Sequence, residues 1–191
     1  ATSPWGLPSA LAQEEVVLPE LVVTATRTPE PLDTTGVSVT VITREDLRAA
    51  GTDVRDALRF VPGLAVVGGG SRGATTSFFS RGGESDHNLV LIDGVKVNNA
   101  GGFFNFSDLT ADNIERIEIL RGPQSALYGA DAMASVIQIF TRKGRGGPKA
   151  DAYFRGGSFS TFDEGGSFRF GTGNFGLSAA VGRTDTDGIL E

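Results

Sequence analysis

The sequence predicts a small α+β unit, a mixed sheet with short helices and long loops, followed by the first antiparallel strands of a transmembrane β-barrel. Three observations carry that expectation. Up to residue 141, short apolar runs alternate with capped helical stretches and with Gly- and Asn-rich loops. Residues 142–149, "RKGRGGPK", then interrupt the chain with a basic, Gly-rich hinge. Beyond it, three segments of about ten residues are apolar on one parity and polar on the other, as strands between lipid and an aqueous lumen must be. The alternation by itself also suits a soluble meander with one wet face. Three strands cannot close a barrel, so the sequence reads as a piece of a longer cylinder.

Composition excludes several classes of function. The chain has 191 residues and 39% hydrophobic content, enough for one core and part of a second. Its 27 glycines are about twice the usual share and favour loops and strands over a bundle. A net charge of −6, with 17 Lys and Arg scattered among 23 acids, argues against a nucleic-acid partner. Zero Cys excludes a disulfide framework and a thiolate metal site. The longest apolar run, "LVLI" at 89–92, falls far short of the ~18 residues a membrane helix needs. At the amino end, Ala10-Leu11-Ala12 fits a small-x-small cleavage pattern, so residues 1–12 read as the remnant of an export signal. An ordinary terminus is the alternative.

Taken in order, "PELVVTATRTPEP" (19–31) is strand-competent but fenced by Pro19, Pro29 and Pro31. Such a segment suits addition to the sheet edge of another protein; pairing within its own domain is the other reading. "VSVTVIT" (37–43) alternates as a strand covered mainly on one face. Thr43 with Asp46 makes a capping-box start for "TREDLRAAG", which Gly51 closes. Thr52 is expected to cap a second helix in which Val54, Ala57, Leu58 and Val61 form one apolar stripe, ended by Pro62-Gly63. Strand-like runs follow at 64–67, 76–81, 88–94 and 116–120. A short helix opening at Pro123 leads to the strand "SVIQIFT" (135–141). After the hinge come the three alternating strands, with Glu164 the exception on the apolar parity.

Three motifs invite a chemical reading. "GGGSRG" (68–73) matches a dinucleotide fingerprint, with Asp93 some 20 residues on. The helix that must follow is missing from "ATTSFFSRGGESD", so a hairpin tip fits better. "SDH" (85–87) holds the only His, but neighbours on one loop cannot converge on a nucleophile as a triad does. "DGVKVNNAGGFFNFSDL" (93–109) sets Asn98, Asn99 and Asn105 beside Phe103, Phe104 and Phe106, either to meet a ligand or to pin a long loop to the core.

In "ELVVTATR", "DALRFVPGLAV", "FFSRGGESDHNLVLIDGVKVN" and "IERIEILRGPQSALYGADAMASVIQIFT" the chain resembles the amino-terminal part of a TonB-dependent outer-membrane receptor, most similar to the cobalamin (vitamin B12) transporter branch. The resemblance implies a plug domain inside a barrel. It implies these divisions: a signal remnant at 1–12, a periplasmic segment with the TonB box at 13–36, the plug at 37–144, and barrel strands from 149 to 191. Leu21, Val22, Val23, Thr24 and Ala25 would be the TonB box that pairs with the TonB C-terminal domain. Thr75, Ser77, Glu84, Gly102 and Phe103 would touch substrate. The expected cargo is cobalamin, or a ferric siderophore or haem on the same architecture. Of a different class is a soluble periplasmic binding module. Outer-membrane lipid is the further partner, and no catalytic residue, cofactor or metal is expected. Arg81, Arg116 and Arg121 with Glu115 and Glu118 are expected at the polar contact between plug and wall.

Overall fold

The computed structural model describes residues 21, 22, 24–32, 36–51, 53–68 and 73–188. The proposed signal remnant, Val23, Thr52 and most of "GGGSRG" lie outside the described residues. Two short strands, β1 (Leu21–Val22) and β2 (Glu30–Pro31), pair antiparallel. The strand that looked partnerless in sequence therefore has a neighbour nine residues on, reached through a turn at 24–29.

The globule is organised on a five-stranded sheet. Its strands are β3 (Ser38–Ile42), β6 (Asn88–Ile92), β7 (Val95–Lys96), β8 (Ile114–Arg121) and β9 (Ser135–Thr141), in spatial order β3-β8-β9-β6-β7. Only β9 and β6 run parallel. The central strands are covered on both faces, which is why they read as nearly continuous apolar runs. One face carries Ile117, Ile119, Ile137, Ile139 and Val90 against Leu47, Leu58, Phe78 and Phe106. The other carries Leu89, Leu91, Leu120 and Val136, with Ala25, Val39 and Tyr128 packed on them. The edge strand β3 accordingly buries Ile42 on one side and rests Val39 on the other, so it is not the one-sided strand its valines suggested.

Helix α1 (Arg44–Ala50) starts as its sequence dictates, with a reciprocal capping box between Thr43 and Asp46. Gly51 closes it at φ +113, a conformation that a side chain would strain. Helix α2 (Val54–Arg59) buries Val54, Ala57 and Leu58, and Val61 just beyond, as the stripe required. Its N-cap is Asp53, not Thr52, because the Asp53 carboxylate accepts from the Arg55 amide at 2.9 Å and also engages that residue's guanidinium. Strands β4 (Leu64–Gly68) and β5 (Thr76–Ser80) form an antiparallel hairpin, so "GGGSRG" joins two strands and opens no helix. Helix α3 (Ser125–Tyr128) begins two residues after Pro123.

Past the hinge, β10 (Lys149–Gly157), β11 (Thr161–Thr172) and β12 (Phe175–Asp185) form an antiparallel sheet. Its register aligns Ala150, Phe168 and Ala179, then Ala152, Gly166 and Val181, on one face. Phe154, Phe162, Phe168, Phe175, Leu177 and Val181 stand exposed there. Glu164 lies between Phe154 and Arg183, so the exceptional acid faces a cation across the strand pair. The opposite face meets the globule. Arg142, 3% exposed, donates to Ser167 Oγ and Asp151 Oδ2, each at 2.9 Å. Among the described residues no helix is long and apolar enough to cross a membrane.

Candidate coupling segment and binding loops

Thr24 is 1% exposed and Glu118, in the middle of β8, is 0% exposed. The Thr24 amide and hydroxyl both donate to Glu118 Oε2, at 2.8 and 2.7 Å. Glu118 Oε1 accepts from Arg116 Nε at 2.8 Å, and the Arg116 guanidinium lies over the Phe140 ring at 4.0 Å. On its far side, the Thr24 carbonyl accepts from the Tyr128 hydroxyl at 2.7 Å. Burial pushes the Tyr128 phenol up from its usual range, against a smaller opposing effect of Arg27, which stacks on its ring. Val22 is fully buried and Ala25 half-buried against the second core. The described residues Val22, Thr24 and Ala25 are thus docked on the sheet, by apolar packing of Val22 and Ala25 and by polar contacts on both sides of Thr24.

Arg116 and Glu118 pair with each other within the globule. Arg121 turns to the Pro62 carbonyl and Thr40 Oγ1, and burial beside Arg81 pulls its pKa down. Arg142, which the sequence reading did not select, makes a polar contact with β10 and β11, and Ser178 on β12 bonds Asn113; Glu115 lies 4.0 Å from Arg142.

Of the residues expected to touch substrate, Glu84, Gly102 and Phe103 are drawn together by a network centred on Asn88. Buried at the start of β6, Asn88 donates from Nδ2 to the carbonyls of Phe78, Glu84 and Ser85, and accepts from Ser135 Oγ at 2.6 Å. Asn98 donates to the Asn88 and Gly102 carbonyls and accepts from the Val90 amide. The Gly102 amide donates to Asn99 and the Asn99 amide to the Phe103 carbonyl. Gly102 sits at φ +85, where a Cβ would fall 2.8 Å from the Asp86 carbonyl oxygen. The 84–87 and 98–103 loops therefore touch through a glycine.

Thr75 and Ser77 flank Thr76, which holds the second loop pair together. The Thr76 amide donates to Asn105 Oδ1 at 3.1 Å, and its hydroxyl accepts from Arg55 Nη1 at 3.2 Å. Arg55 is fixed by Asp53, whose hydrogen bonds raise its pKa. Thr75 is exposed, Ser77 half-buried on the outer face of β5, Glu84 exposed and Phe103 half-buried. Asn98 and Asn105, which resembled ligand contacts in sequence, direct their side chains to the chain itself. Phe106 is a core anchor, with its ring 4.1 Å from Phe78 and 4.6 Å from Phe104. Among the described residues no cluster of His, Cys, Asp and Glu could hold a metal ion.

A globule with its amino-terminal segment docked on a mixed sheet, its loops cross-braced and its hinge leading to an apolar-faced wall, has the architecture of a receptor plug with the start of a barrel. A model of the TonB-dependent receptor plug domain matches residues 31–136, and the chain belongs to that family. Similar solved structures include the siderophore receptor PirA from Acinetobacter baumannii, at 26% identity and TM-score 0.63, covering 78% of this chain and 24% of that one. Another is the pyoverdine outer membrane receptor FpvA from Pseudomonas aeruginosa PAO1, bound to pyoverdine, at 20% identity and TM-score 0.74, covering 88% and 25%. The ferric-catecholate import receptor Fiu from E. coli K12 matches at 22% identity and TM-score 0.66, covering 82% and 22%. The chain spans about a quarter of the length of these receptors. It shares their plug and the beginning of their barrel.

Proposed function

We propose that the chain is the plug and first wall of a receptor that carries a scarce, large metal chelate across the outer membrane, driven by TonB. In this reading residues 13–36 lie in the periplasm, 37–144 form the plug, and the strands from 149 enter the barrel, with their phenylalanine face toward lipid. Leu21, Val22, Val23, Thr24 and Ala25 are the segment TonB captures as an added strand. Thr75, Ser77, Glu84, Gly102 and Phe103 touch cargo. One observation carries the reading: Thr24 ties this segment to the globule by three hydrogen bonds that water can replace, which suits a segment that must both dock and leave. Deleting residues 20–26 from the full-length receptor should abolish uptake while leaving cargo binding intact; undiminished uptake would refute it.

Two cargoes have support. A ferric siderophore is supported by the similar solved receptors, several of which are named for siderophores. Cobalamin is supported by the overall resemblance of residues 20–185 to that branch, although several of the loop positions differ from it in type. Titrating the full-length receptor with cyanocobalamin, ferric pyoverdine and ferric enterobactin separates them. Saturable binding of one chelate at submicromolar concentration, lost on Glu84→Ala or Phe103→Ala, identifies the cargo and tests the contact residues together.

A further inference from the structure

Thr24 is more tightly held than docking of an apolar strand requires. Its amide, hydroxyl and carbonyl are all used, and both partners come from far along the chain, Glu118 from β8 and Tyr128 from α3. Glu118 is fully buried and its second oxygen is already engaged by Arg116. The Thr24 amide and hydroxyl both serve its other oxygen, and withdrawing them takes two donors from a buried carboxylate at a cost. The same Thr24 is also tied, by a short path, to the loops around Asn88. The His87 carbonyl accepts from the Ala134 amide, the Ala134 carbonyl from the Gly122 amide, and the Ala132 carbonyl from the Gln124 amide, all at 2.9 Å. That stretch carries Tyr128, whose amide donates to Gln124. Glu118 itself stands level with Gln138 and Leu91, three residues along β6 from Asn88.

We infer that Glu118 and Tyr128 are positioning residues that form a clasp on Thr24 and set how readily residues 21–25 leave the plug. This rests on the reading of that segment as the coupling element, and it adds which side chains regulate its release. Neither residue touches cargo. Opening the clasp means exchanging three hydrogen bonds around Thr24 for water, so loss of any one donor shifts the balance toward the undocked state by a measurable factor and no more.

The test uses the full-length receptor in outer-membrane lipid vesicles, with no TonB and no cargo added. Val22 is fully buried while the segment is docked and these 191 residues hold no other thiol, so Val22→Cys reports undocking by its rate of alkylation with a maleimide, any cysteine elsewhere in the receptor being replaced by serine. Tyr128→Phe and Thr24→Val should each raise that rate about fivefold, the effect of one lost hydrogen bond. Thr24→Ser keeps the hydroxyl and should match the parent. Glu118→Gln should act in the same direction; should it fail to fold, the other two variants decide. Rates within twofold of the parent in both Tyr128→Phe and Thr24→Val would overturn the clasp, as would an equal rise in Thr24→Ser. Because TonB is absent, the result stands apart from the uptake experiment: a clasp without TonB-dependent uptake would leave this inference standing and remove the coupling reading.

Discussion

Two donors of Thr24, one from the backbone and one from the side chain, converge on a single oxygen of Glu118 across a sequence separation of 94 residues. A carboxylate so deep in a sheet needs every partner it has, and Arg116 is one more of them. Arg116→Ala removes that charge and the stacking on Phe140 together. Amide exchange across β8 and β9 in the full-length receptor should accelerate by the equivalent of about 1–3 kcal/mol. Unchanged exchange there would mean Glu118 is solvated by other means.

Asn88 offers an isosteric test. Its Nδ2 faces three carbonyl oxygens, so Asn88→Asp sets a carboxylate oxygen against three acceptors with no change in shape. The 84–87 loop should lose its fixed geometry and cargo affinity should fall at least tenfold, read by titration. Asn88→Ala, which removes the donor without adding repulsion, should cost less.

At Gly102 both backbone and space forbid a side chain. With φ at +85 and the Asp86 carbonyl in the way, Gly102→Val must push the 98–103 loop off its neighbour. Weaker cargo binding with unaltered expression is the expected outcome. Gly101→Ala shares the positive φ but meets nothing within 4 Å and should be milder.

The capping box of α1 gives a pH dependence with a definite sign. Hydrogen bonds from the Thr43 hydroxyl and amide hold the Asp46 carboxyl below its usual range. A depressed folded pKa stabilises above the unfolded value of 3.8, and that contribution disappears as pH falls through the lowered folded value. Amide exchange of α1 should therefore become less protected at acid pH in the native chain and lose that dependence in Asp46→Asn. Thr43→Ala should cost about 1 kcal/mol at neutral pH.

Much of the fold was legible because it obeys local rules. The Thr43–Asp46 box, the stripe from Val54 to Val61, the strand at 135–141 and the three alternating strands all follow from spacing and residue type. What escaped the sequence depends on distant partners. Asp53 caps the helix because Arg55 folds back onto its carboxylate, and the same guanidinium reaches Thr76, 21 residues on. Residues 21–22 found a neighbour in a two-residue strand too short to announce itself. For the site, the candidate loops were visible, but the asparagines between them were misread: an amide that ties loops looks the same in sequence as one that meets a ligand. Glu118 did leave a trace. A lone acid amid "RIEIL", in a strand apolar on both parities, is a buried charge awaiting partners, but nothing in the sequence named Thr24 and Tyr128.

At Gly144, finally, the hinge crosses the wall with main chain against main chain. A Cβ on Gly144 would collide with the carbonyl oxygens of Phe170 and Leu177, and Gly171 and Gly176, paired with each other on β11 and β12, face it in turn. Three glycines from two parts of the chain thus make one seam. Anyone grafting this stopper into a foreign cylinder must transplant that trio as a unit, since a host with ordinary residues at the crossing will hold the connector away and leave the stopper askew.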